Sequence, residues 1–248
     1  MAPESGRGGL TGLPLSAYQS GDGIFTKEIR ARNVLTVSCL HGAGFTTYTG
    51  SALQPAVAPD NATALPAGPW GYLGAGTAAA QGFHPPSQPA PAPQAPAGGA
   101  NSGEAFEAAS LDCSHRIAEQ LKPDSGDGSL ASRLFDESLR LTADDSRVGE
   151  ATRSWAECMA AAGYQATDPS ALTTRFAPGG TVTEVEVATA KADAACTGQS
   201  NLAGVWFAVA AGYQKQQIDR NAEALTAQQR VVRAYDEKLT GLLTGAAP

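Results

Sequence analysis

The chain has 248 residues, with 24 Asp and Glu against 17 Lys and Arg, a net charge of −7 and no block of basic residues. Duplexes and other polyanions are bound by clustered cations that release counterions, so nucleic acid is not an expected partner. No window approaches the run of about 20 apolar residues that crosses a bilayer, and no transmembrane segment is expected.

Residues 1–21 are rich in Gly, Ser and Pro and are expected to be disordered. Met1 to Gly23 hold neither the basic n-region nor the apolar h-region of an export signal. Thr36-Val37-Ser38-Cys39 imitates a lipoprotein cleavage box, but Lys27, Glu28, Arg30 and Arg32 precede it, so Cys39 is not expected to be lipidated.

A first helix reads from about Ile24 to Gly42, with Asp22 as N-cap. Ile24, Ala31, Leu35 and Cys39 share one face of it. Residues 50–103 change character: Pro, Gly, Ala and Gln dominate, and His84 to Pro93 reads as an extended polyproline linker. Trp70, Tyr72 and Phe83 are expected to pack on the helices rather than to bind a ligand.

Helix returns at Glu104 with Phe106, Leu111, Cys113, Ile117 and Leu121, and Pro123 and Gly126 end it. Another is expected over Leu130–Leu141. From Ser146 to Ala162, Val148, Ala151, Trp155, Cys158, Met159 and Ala162 form an apolar stripe, with Gly163 at the C-cap position. Residues 167–180 read as loop. Helix resumes after Thr183, an N-cap with Glu186 as its capping-box partner, and runs towards Cys196.

Residues 201–243 contain no proline and read as one helix, about 60 Å long at 1.5 Å per residue. Ile218, Leu225, Val232 and Leu239 repeat every seven residues, with Gln228, Tyr235 and Leu242 at the companion position: a heptad seam. A helix longer than its domain needs is expected to meet a protein partner or a second copy through Ile218, Leu225, Val232, Tyr235, Leu239 and Leu242.

Four cysteines, Cys39, Cys113, Cys158 and Cys196, lack any CxxC spacing and favour disulfides formed in an oxidising compartment. The expected location is therefore extracytoplasmic, with the export signal absent from this chain. Two of the cysteines share a pattern. Cys39 and Cys158 are each followed by an apolar residue, by Gly five places on (Gly44, Gly163) and then by an aromatic (Phe45, Tyr164). Each reads as a core-facing cysteine one turn before a glycine helix stop. Three pairings are possible, and the simplest is Cys39–Cys113 with Cys158–Cys196.

Chemical motifs are weak. GxSxG, SxxK, HExxH and P-loop patterns are missing. Gly74 to Ala79 imitates a dinucleotide loop without its strand and helix. Cys39, His41, Cys113 and His115 make a legal zinc set, but residues two apart on a helix diverge, so no metal or other cofactor is expected. Asp124 to Ser129 has fragments of a calcium loop without the closing Glu and reads as a turn.

Several runs resemble a group of uncharacterised actinobacterial secreted proteins and lipoproteins. These runs are Leu13-Pro14-Leu15-Ser16-Ala17-Tyr18, Gly82-Phe83-His84-Pro85-Pro86, Trp155 to Tyr164, and Ala188 to Asn221 with Asp193, Cys196, Asn201-Leu202, Val205-Trp206 and Tyr213-Gln214. The resemblance implies export and paired cysteines and no activity; unlike such lipoproteins, this chain shows no lipobox.

The fold class expected is mainly α: a disulfide-stapled helical protein with a first helix in 22–49, a Pro/Gly-rich central linker at 50–103, a helical core at 104–200 and a long C-terminal helix in 201–248. The function expected is a non-enzymatic structural or interaction scaffold of the cell envelope. The alternative is a small-ligand or envelope-stress-sensing module, with a link to a transport system and a pocket near Trp155, Trp206 and Tyr213.

Overall fold

The computed structural model describes residues 10, 12–19, 22–50, 75–84, 101–122, 129–176 and 181–245. Among these, every regular element is a helix. A 3-10 helix at Pro14–Tyr18 is followed by α1 (Asp22–Gly42), α2 (Ala75–Gln81), α3 (Glu104–Leu121) and α4 (Leu130–Ala143). Then come α5 (Ser146–Ala161), α6 (Pro169–Arg175), α7 (Glu184–Ser200), α8 (Leu202–Arg220) and α9 (Ala222–Thr244). Two compact units divide the chain. The first takes Met1–Gln19, Ala58–Gln88 and Ser129–Ala222; the second takes Ser20–Val57, Pro89–Gly128 and Glu223–Pro248.

In the first unit α7 packs on α2, α5 and α8, and α8 also packs on α4 and α5. Trp155, Met159, Leu202, Trp206 and Ala210 are buried where these helices meet. The 3-10 helix lies against α4 and α8. Its Leu15 is fully buried and donates its backbone N–H to Gln214 Oε1 at 2.8 Å. Gln214 Nε2 in turn donates to Ser138 Oγ, and the Ser138 hydroxyl donates to the Phe135 carbonyl. This corrects the expectation of disorder for residues 12–19: Leu13 and Leu15 supply apolar area, and the buried Gln214 amide accepts from the Leu15 backbone N–H.

In the second unit α1 packs on α3, and the core consists of Ala31, Leu40, Cys113, Ile117, Leu121 and Leu239. Tyr235, Leu242 and Leu243 of α9 close over it, and Lys27 on α1 pairs with Asp236 on α9 at 2.7 Å.

The helix stops fall where glycine allows them. Gly44 (φ 97°) and Gly163 (φ 89°) both adopt the left-handed region. Gly44 N–H bonds to the His41 carbonyl and Phe45 N–H to the Leu40 carbonyl. Gly163 N–H bonds to Ala160 and Tyr164 N–H to Met159 in the same way. Both ends are Schellman caps, as the repeated pattern predicts.

Four further expectations are corrected. The single helix over 201–243 is two helices, because Asn221 leaves helical geometry at φ −121°, ψ 19°. Its side-chain amide and its backbone N–H both donate to the Gln217 carbonyl, which satisfies the end of α8. Within 167–180, α6 forms because Asp168 accepts from Ser170 N–H and Pro169 fits the first turn. Within 50–103, α2 packs on α7. Asp22 stands inside α1 rather than before it. Trp70, Tyr72, Pro85 to Pro93 and the Asp124–Gly128 stretch lie outside the described residues.

Candidate functional site

The cysteines pair as Cys39–Cys113, joining α1 to α3, and Cys158–Cys196, joining α5 to α7. The Cα atoms stand 5.9 and 5.6 Å apart, within the ordinary range for a disulfide. Each staple ties a helix just before its Schellman stop to another helix of the same unit. In each, one cysteine (Cys113, Cys196) is buried and the other is half-exposed. The cysteines of the zinc set are thus joined to each other rather than held as thiolates, and His41 Nε2 lies 2.7 Å from the Tyr48 carbonyl instead.

Around Cys158–Cys196 lies a buried polar cluster. Trp155 Nε1 donates to Asp193 Oδ1 at 2.8 Å, and the Thr197 hydroxyl donates to the same oxygen at 3.3 Å. Asp193 is buried, and burial pushes its carboxyl up to about 6, against the two hydrogen bonds that pull it down. Asp193, Cys196 and Thr197 are neighbours on α7 because of their three- and four-residue spacing.

A second cluster forms where α2 meets α7. Thr183 caps α7 as expected by accepting from Glu186 N–H at 3.1 Å, but Glu186 does not reach back to complete the box. Its buried carboxylate accepts from Phe83 N–H at 2.9 Å and from His84 Nδ1 at 2.8 Å. An ionised carboxylate only accepts, so Nδ1 carries a hydrogen in this contact. His84 Nε2 is buried and has no hydrogen-bond partner among the described residues. Gly82 (φ 63°) permits the approach: a Cβ there would stand 2.6 Å from Glu186 Oε1. Phe83 stacks on Phe176, with ring centroids 5.3 Å apart, in line with the expectation that it packs on helices.

The pocket expected near Trp155, Trp206 and Tyr213 is not assembled from those three. Trp155 is fully buried and committed to Asp193, while Tyr213 donates its hydroxyl to Asp145 at 2.9 Å. Trp206 does line a cavity of about 210 Å³ with Val148, Thr152, Asp168, Pro169 and Leu202.

The seam residues separate. Ile218 ends α8, half-buried, and the others lie on α9. Leu239 is fully buried in the second unit's core, with Tyr235 and Leu242 packed against it. Leu225 is also buried, and Val232 is half-buried. The groups missed from sequence were Leu15, Gln214, His84 and the inward role of Glu186. Only Glu186 carried a signal, an acidic residue at a position where its capping bond was optional.

Among the described residues no set of three or more His, Cys, Asp or Glu side chains is placed to hold a metal ion, and no helix is long and apolar enough to cross a membrane. Comparison with protein-family models, with curated proteins and with solved structures finds no match.

Proposed function

We propose that this chain is an extracytoplasmic, non-enzymatic helical protein that serves as a structural or interaction scaffold of the cell envelope. The observation that carries the reading is the doubled staple: each unit has one disulfide, placed one turn before a Schellman cap and closing on a buried partner cysteine. Structural disulfides persist where thiols are oxidised, and a core poor in aromatic residues gains most from them. The non-enzymatic part is supported by how the buried carboxylates are used: Asp193 serves Trp155 and Thr197, and Glu186 holds the Phe83–His84 turn.

Contact with a partner or a second copy falls to exposed side chains, because Tyr235, Leu239 and Leu242 are taken up by their own unit. Native protein from the producing cell, alkylated before and after reduction and located by fractionation, tests the proposal. Four alkylations appearing only after reduction, in protein outside the cytosol, are expected. Four free thiols in cytosolic protein would overturn it.

The ligand-sensing alternative draws support from the cavity beside Trp206. A thermal-shift screen against cell-wall fragments and metabolites separates the two, with a ligand-dependent rise expected only under the second reading.

A further inference from the structure

The two disulfides differ in what faces their sulfurs. Arg116, one turn after Cys113 on α3, places Nη2 3.1 Å from Cys39 Sγ and 3.8 Å from Cys113 Sγ. Its side chain is 62% exposed and paired with Asp112 at 2.7 Å, so the guanidinium is open to solvent while it contacts both sulfurs. At Cys158–Cys196 the neighbouring group is an oxygen: Gln199 Oε1 lies 3.5 Å from Cys158 Sγ. The buried carboxyl of Asp193 sits one turn before Cys196.

We propose that Cys39–Cys113 is a thiol–disulfide exchange site, opened by thiolate reductants ahead of Cys158–Cys196. Exchange proceeds by attack of a thiolate on one sulfur, with negative charge spread over three sulfurs as the old bond breaks. A guanidinium touching both sulfurs stabilises that charge and attracts the incoming anion. The Gln199 carbonyl oxygen near the other disulfide does the opposite.

Geometry also orders the two sulfurs. Cys39 is half-exposed and lies in the last turn of α1, where the helix dipole disfavours a thiolate; Cys113 is buried in mid-α3. Attack therefore falls on Cys39 Sγ, and Cys113 leaves as the thiolate beside Arg116. With a dithiol, the second thiol then attacks the mixed disulfide and releases Cys39. The two cysteines each gain a proton, and the dithiol is oxidised to its cyclic disulfide. The product is a chain in which α1 and α3 are no longer cross-linked while α5 and α7 remain so.

The test is partial reduction of the full-length protein with limiting dithiothreitol, quenched by alkylation and mapped by peptide mass. Cys39 and Cys113 are expected to become labelled about tenfold faster than Cys158 and Cys196. The rate is then compared for mercaptoethanesulfonate and cysteamine, an anionic and a cationic thiol. Arg116→Gln is expected to slow opening of Cys39–Cys113 about threefold with the anionic thiol and little with the cationic one. Asp112→Asn, which frees the guanidinium, is expected to raise the anionic rate. Both side chains are more than half exposed, so neither change threatens folding. Equal labelling of the two disulfides, earlier labelling of Cys158 and Cys196, or an Arg116→Gln rate unchanged for both thiols would overturn the proposal. Opening by local unfolding would be blind to thiol charge, so it too would register as a refutation.

Discussion

Trp155 and Asp193 meet through a 2.8 Å hydrogen bond from the indole N–H to a carboxyl oxygen, linking the same two helices that Cys158–Cys196 joins. A covalent staple and a buried polar contact thus fix one helix pair at two points a turn apart. The polar contact is the one that responds to pH.

Burial holds the Asp193 carboxyl up at about 6 in the folded protein. The folded state therefore keeps this proton where the unfolded chain has lost it, and stability falls as pH rises from the ordinary carboxylate range to about 6, then levels off. The full span is about 3 kcal/mol. Denaturant titrations from pH 4 to 8 are expected to show this loss in the wild type and its absence in Asp193→Asn.

Trp155→Phe removes the donor and part of the buried volume together. A cost of about 2–4 kcal/mol is expected in urea unfolding. Because the indole bond lowers the Asp193 carboxyl, its loss should also carry the pH dependence to higher pH. A variant that lost stability with an unchanged pH profile would show that the bond does not control the titration.

Gly82→Ala places a methyl group against the Glu186 carboxylate at a positive φ. Glu186 cannot yield without releasing Phe83 N–H and His84, so a loss of about 1–3 kcal/mol is expected locally. Amide exchange at Phe83 reads it directly: protection should drop at this amide while that of Trp155 stays high.

Leu239→Ala empties the centre of the second unit's core and is expected to cost about 2–4 kcal/mol, seen as faster amide exchange in α1 and α3. Phe25, 67% exposed, offers the contrast. Phe25→Ser should leave exchange within about 0.5 kcal/mol of the wild type. If Leu239→Ala proved equally silent, the packing of α9 on α1 and α3 would be refuted.

Features that a few neighbouring residues settle were legible in the chain alone. The apolar periods placed most helices, Thr183 placed the start of α7, and Gly44 and Gly163 with their following aromatics specified both Schellman stops, since a left-handed cap needs only glycine and the chain around it. The cysteine pairing is the simplest of the three that four cysteines allow, one staple in each half of the chain.

Packing alone settles where side chains find partners far along the chain. Leu15 meets Gln214 across 199 positions, and Glu186 turns from its own helix end to His84 across 102. Ile218 and Leu225 continue one heptad pattern on paper, yet Asn221 ends the helix between them, and Leu239 packs with Ala31 and Cys113. A repeat of apolar residues records that a face must be covered; which surface covers it depends on how the rest of the chain packs, and that information is not local.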